Sequence, residues 1–141
     1  MKWFIESEES WRHVVSELMP QIALPTLFLL QGPMGSGKTT FVREVLRNFD
    51  AEETASPTFN LRNDYRAWNR GALLPVYHLD LYRLTPDDKA TDLFDFFLDD
   101  GDFLAFVEWP EKLPLDYDLS GAQIIRLLFA HLDNGRTLEQ P

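Results

Sequence analysis

Residues 32–39, Gly-Pro-Met-Gly-Ser-Gly-Lys-Thr, satisfy the pattern G-x-x-x-x-G-K-[ST], and this limits the possible fold more than any other feature of the chain. Such a loop needs a buried strand before it and a helix after it. Both are legible. Thr26–Leu30 is a continuous apolar run behind Pro25, which predicts a central strand covered on both faces. Beyond the loop, Val42, Val45, Leu46 and Phe49 fall on one helical face. Gly32, Gly35 and Gly37 permit positive φ and close approach of backbone to a polyphosphate. Successive N–H groups and the helix N-terminus then favour an anion. Lys38 supplies an ammonium for β- and γ-phosphates, and Thr39 a hydroxyl for Mg²⁺. The expectation is a nucleoside triphosphate site.

The rest of the chain reads as strands and helices around that unit. Lys2–Glu6 predicts a strand. Ser7 caps a helix whose Trp11, Val14, Val15 and Leu18 form one buried face and which Pro20 ends. Residues 50–57 have loop composition. Strands are expected over Phe59–Tyr65 and Leu73–Leu79, joined around Asn69-Arg70-Gly71. Thr85-Pro86-Asp87-Asp88 begins a helix with Ala90, Leu93, Phe94 and Phe97 inward. Phe103–Val107 is a further buried strand. Gln123–Leu132 and Arg136–Leu138, around Asp133-Asn134-Gly135, form a terminal hairpin. No repeat or linker divides the chain, so residues 1–141 are expected to form one P-loop NTPase-like α/β domain. It should have three layers, a mixed, largely parallel sheet and a C-terminal hairpin.

A P-loop site uses an acid at the end of a neighbouring strand to organise the magnesium shell. Asp80, after Val76-Tyr77-His78-Leu79, and Glu108, after Phe103–Val107, have that setting. Each taken alone reads equally as a solvated acid closing a strand. Ser56-Pro57-Thr58 reads either as an ordinary turn or as a switch segment sensing the γ-phosphate. His13, His78 and His131 share no metal-ligand spacing and read as structural. With no cysteine, a zinc-thiolate site, a disulfide framework and a Cys nucleophile are excluded, and a reducing, cytoplasmic compartment is expected. No stretch is apolar enough to span a membrane.

Taken together, residues 32–40, Ser56-Pro-Thr-Phe, Tyr65, His78-Leu-Asp-Leu-Tyr-Arg-Leu and Glu108-Trp-Pro-Glu resemble, in order and spacing, the TsaE (YjeE) family. Its members are small bacterial ATPases of tRNA threonylcarbamoyladenosine formation. The resemblance covers about residues 5–135. It implies that ATP phosphates lie against Gly35, Ser36, Gly37, Lys38, Thr39 and Thr40, with Trp109 beside the nucleotide. It also implies that Thr39 and Glu108 ligate Mg²⁺, that Asp80 serves hydrolysis through metal, water or both, and that Ser56 and Thr58 belong to a switch-like loop. Lys38, Asp80 and Thr58 would form the catalytic group. TsaB- and TsaD-type subunits are the implied partners, with tRNA contacted only through them. ATP hydrolysis would reset that complex, which modifies adenosine 37. The sequence departs from the family at Trp11 and Val15, where Thr and Gly are usual, and at Pro33 and Arg62. Trp11 is the candidate for stacking on the adenine.

Two other functions compete, a small P-loop kinase and a nucleotide-gated adaptor that does not hydrolyse. The former would carry an Arg-rich lid, whereas Arg43, Arg47, Arg83, Arg126 and Arg136 are dispersed. The presence of both Asp80 and Glu108 speaks for hydrolysis over the latter. The net charge of −10 disfavours a broad grip on tRNA and suits docking on a more basic protein.

Overall fold

The computed structural model describes residues 1–54, 61–85, 94, 101–114 and 117–141. In chain order the elements are β1 (Lys2–Ile5), α1 (Glu8–Leu18), β2 (Thr26–Gln31), α2 (Lys38–Asn48), β3 (Glu52–Glu53), β4 (Arg62–Asn69), β5 (Ala72–Asp80), β6 (Leu104–Glu108), β7 (Gln123–Leu132) and β8 (Gly135–Glu139). All eight strands join one sheet in the order β1-β8-β7-β2-β6-β5-β4-β3. Strands β7, β2, β6 and β5 pair in parallel, and every other pairing is antiparallel. Only β4 and β8 therefore oppose the common direction. The sheet is mixed, as expected, but parallel pairing is confined to the central strands β7, β2, β6 and β5, with four antiparallel pairings outside them against three parallel ones. The P-loop strand lies within that parallel centre.

Local sequence explains these elements. Ser7 Oγ accepts the Ser10 N–H at the start of α1, Glu8 and Glu9 occupy its first turn, and Pro20 enters the 3₁₀ turn that follows. The helix buries Trp11, Val14, Val15 and Leu18, the stripe read from the sequence. Strand β2 is buried from Thr26 to Leu30 because it has neighbours on both edges and cover on both faces.

The period of two divides the core. Phe28 and Leu30 of β2, with Leu104 and Phe106 of β6, face α1 and α2 and meet Phe41, Val42 and Val45. Phe28 stacks on Phe106 at 5.3 Å, and Phe41 meets both edge-on. On the opposite face Leu27, Leu29, Ala105 and Val107 pack with Phe94, Phe103 and Leu113. The helix expected from Thr85 lies outside the described residues except for Phe94, which is buried.

Two expectations shift. The stretch read as loop contains β3, whose Glu52 and Glu53 pair with Arg66 and Tyr65. Strand β4 runs on to Asn69 because the β4–β5 hairpin closes on Arg70-Gly71 alone, with φ of 51° and 80°. Two positive φ values match the right-handed twist of the strands, so pairing continues to the turn. Among the described residues, no helix is long and apolar enough to cross a membrane.

Candidate functional site

The parallel strands end together, and the chemistry collects at their carboxyl ends. Gln31 closes β2, the loop follows, and Gly37 caps α2 with φ 106°. A Cβ at Gly37 would collide with the Trp11 ring, and one at Gly32 would meet the Phe129 carbonyl. The loop thus rests on a floor of Trp11 and Phe129, whose rings lie 6.1 Å apart. Ser36 is buried, and its Oγ donates to the Pro33 carbonyl at 2.6 Å, closing the loop's inner turn. Gly35, by contrast, has φ 76° and open space around it.

Above this floor is a cleft of about 250 Å³. Gly35, Gly37, Lys38, Thr39 and Thr40 form one wall. Asp80, Glu108 and Trp109 form another, with Tyr82 and Arg136 at the margin. Asp80 and Glu108 are register partners at the ends of β5 and β6. Like charges directly opposite on adjacent strands repel, so this arrangement needs a cation to balance it. Glu108 is 4% exposed, and Thr39 Oγ1 donates to its Oε2 at 3.4 Å. The Asp80 carboxylate accepts the Tyr82 N–H at 3.1 Å.

Lys38 supplies the balancing charge. Its ammonium donates to the Gly32 carbonyl and lies 4.0 Å from the Trp109 ring centroid. Burial pushes the Lys38 pKa below its ordinary value, against the opposing pull of Glu108, Asp80 and Glu111. Trp109 has φ 59°, a left-handed conformation costly for a bulky residue. Its N–H donates to the Leu30 carbonyl at 3.3 Å, and its ring meets Tyr82 at 5.0 Å. These contacts hold the indole over the lysine.

The donor set fits a magnesium nucleotide. Thr39 hydroxyl and Glu108 carboxylate are hard oxygen donors side by side, of the kind Mg²⁺ takes together with water and phosphate. Among the described residues no group of three or more His, Asp or Glu side chains could cage a metal alone. A cation here would complete its shell from substrate and solvent.

The profile of the family described as "Threonylcarbamoyl adenosine biosynthesis protein TsaE" matches residues 5–137. The chain belongs to the TsaE family. It is 36% identical over 118 residues to a tRNA threonylcarbamoyladenosine biosynthesis protein TsaE of Synechocystis, covering 81% of this chain and 73% of that protein. Against the protein of the same description from Rickettsia conorii it is 34% identical, over 95% of this chain and 73% of the relative. The crystal structure of the Bacillus protein YdiB superposes with a TM-score of 0.60, covering 98% of this chain and 82% of that one. At 23% identity, YdiB supports the fold.

The structure brings together most residues singled out from the family's motifs. Gly35, Gly37, Lys38, Thr39, Thr40, Asp80, Glu108 and Trp109 all border the cleft. Ser56 and Thr58 lie outside the described residues. Trp11 requires correction: at 3% exposure it packs under Gly37 and against Phe129, so it offers no free face to a base. Three contributors escaped the sequence reading. Arg136 reaches from β8, and its Nε donates to the Gly35 carbonyl at 2.8 Å. Tyr82 lines the cleft beside Trp109. His78, read as structural, bonds through Nε2 to Glu108 Oε2. Its signal was present, since His78 stands two residues before Asp80 on the same face of one strand.

Proposed function

We propose that this chain is a magnesium-dependent ATPase subunit of tRNA threonylcarbamoyladenosine formation, acting in the cytoplasm with TsaB- and TsaD-type subunits. Its hydrolysis resets the complex that modifies adenosine 37, and it contacts tRNA through those subunits. The observation that carries the reading is the meeting of Lys38, Thr39, Asp80 and Glu108 around one cleft at the ends of β2, β5 and β6.

Backbone N–H groups of residues 35–40 and the start of α2 receive the phosphates. Lys38 exchanges the Gly32 carbonyl for β- and γ-phosphate oxygens. Thr39 and Glu108 hold Mg²⁺, which when bound neutralises charge on the transferring phosphoryl group. Asp80 orients the attacking water, and Ser56 and Thr58 sense the γ-phosphate. Trp109 covers the phosphate end of the site.

Phosphate release by the purified chain, measured with and without Mg²⁺ and then with the two partner subunits, tests this reading. Magnesium-dependent release stimulated by the partners is expected. Phosphate transfer to a small acceptor without partner stimulation would refute it in favour of a kinase. Partner binding gated by ATP with no release at all would refute it in favour of an adaptor. Lys38→Ala should weaken nucleotide binding. Asp80→Ala should bind within about twofold of wild type and lose roughly 10²-fold or more in turnover.

A further inference from the structure

The alternation along two neighbouring strands gives one buried histidine a defined job. Leu74, Val76 and His78 point to the α2 side of β5, and Leu104, Phe106 and Glu108 point the same way from β6. The register sets His78 opposite Phe106 and Asp80 opposite Glu108. His78 therefore lies diagonal to Glu108, one step deeper into the sheet, a separation that long side chains span. The two do meet: His78 Nε2 bonds to Glu108 Oε2, the oxygen that also receives the Thr39 hydroxyl. Both side chains are buried, at 10% and 5% exposure. The imidazole stands behind the carboxylate, off the cleft wall.

A free glutamate side chain has several rotamers, and fixing one of them costs conformational entropy. A buried carboxylate also needs donors to replace water. His78 meets both needs at once, because a carboxylate only accepts and Nε2–H donates to it. Thr39, on α2, approaches the same oxygen from the loop side. Two donors from two elements on Oε2 leave Oε1 for the cleft.

We propose that His78 is the positioning residue of this site: its Nε2–H holds Glu108 in the orientation that receives a magnesium-bound nucleotide. The proposal rests on the reading of Thr39 and Glu108 as the cation's protein donors. His78 touches neither nucleotide nor metal and acts through Glu108 alone. Loss of such an outer partner weakens metal affinity by roughly 10–100-fold in comparable sites.

Calorimetric titration with the non-hydrolysable ATP analogue AMPPNP, in Mg²⁺ and in EDTA, separates this role from a packing role. His78→Leu keeps the volume and matches the Leu74–Val76 stripe but lacks a donor, whereas His78→Gln keeps an N–H. In Mg²⁺, His78→Leu should bind roughly 10–100-fold more weakly than wild type and need more Mg²⁺ at half-saturation. His78→Gln should recover most of that loss. In EDTA all three should agree within about twofold, because the loop and Lys38 are untouched. In a Glu108→Gln background, His78→Leu should add nothing further. Equal weakening with and without Mg²⁺, or an unchanged Mg²⁺ requirement in His78→Leu, would overturn the proposal while leaving the nucleotide site intact. Wild-type AMPPNP binding that ignores Mg²⁺ would overturn the proposed metal site and this inference together.

Discussion

Substituting Ala for Gly37 tests whether the phosphate loop is held by packing from below. Gly35 and Gly37 both have positive φ, 76° and 106°, so both should lose about 1–2 kcal/mol when a Cβ is added. Only at Gly37 does that Cβ strike a neighbour, the far edge of the Trp11 indole, while at Gly35 it meets open space. Trp11 cannot retreat, because it is buried between the loop and Phe129. Overpacking of a fixed ring costs about 1–3 kcal/mol more. Gly35→Ala should therefore lose about 1–2 kcal/mol and Gly37→Ala about 2–5 kcal/mol.

With a urea slope of about 2 kcal/mol/M, these losses lower the unfolding midpoint by roughly 0.5–1 M and 1–2.5 M respectively. Trp11→Phe withdraws the colliding edge, so adding Gly37→Ala in that background should recover the overpacking share, about 1–3 kcal/mol of coupling. The φ share should remain. Equal midpoint shifts for the two glycine variants would refute the reasoning. So would a Gly37→Ala cost unchanged by Trp11→Phe. In either case Trp11 would be a bystander and the loop would be shaped by its own backbone alone.

Other outcomes follow from the same geometry. Glu108→Gln relieves the repulsion from Asp80 while weakening the bond from His78, so urea stability should change by no more than about 1–2 kcal/mol. The Mg²⁺-dependent part of AMPPNP affinity should nevertheless fall by at least roughly tenfold. Arg136→Ala frees the Gly35 carbonyl from an exposed charged donor, and AMPPNP affinity should drop by up to about tenfold, read by the same titration. Burial lowers the Lys38 pKa in the folded protein, so between that value and 10.5 the unfolded chain binds more protons and stability rises with pH. Tyr65 acts oppositely: burial raises its pKa, and its contribution declines as pH climbs above 10. Urea midpoints of the nucleotide-free protein at pH 8 and 9.5 should accordingly rise more in wild type than in Lys38→Met.

The sequence revealed what is local. The glycine spacing, the Trp11-Val14-Val15-Leu18 stripe and the apolar run of β2 each express a constraint within a few residues, and each formed as read. Trp11 is pulled two ways by its sequence, since it lies on a buried helical stripe and is also an aromatic able to stack on a base. Burial prevailed, because Gly37 lacks a side chain where the indole lies. Arg136 and Gly35 are 101 residues apart, and their contact depends on β8 pairing between β1 and β7. Periodicity assigns a residue to a face, but it does not say which strand will be its neighbour. The spacing of His78 from Asp80 places it on the acid's face of the strand, but its bond to Glu108 needs the β5–β6 register, which periodicity does not supply.

The register also changes the meaning of the acidic residues. Glu108 alone would be an ordinary strand terminator, as would Asp80. Placed opposite each other at the ends of parallel strands, they form a local arrangement that works against folding. Lys38 offsets it, but the lysine's pKa is itself lowered by burial and its ammonium is bonded to the Gly32 carbonyl. A bound polyphosphate would draw the ammonium off that carbonyl and away from balancing the acids alone. The two carboxylates then need another positive charge, and the Thr39 hydroxyl beside Glu108 is ready to share it. Nucleotide and divalent cation should therefore bind with positive coupling, each raising the affinity for the other by the same factor. Titrating AMPPNP at several Mg²⁺ concentrations and Mg²⁺ at several AMPPNP concentrations measures that factor from both sides. A tenfold coupling corresponds to about 1.4 kcal/mol, and a factor near one would mean that Lys38 keeps the acids balanced whatever the loop holds.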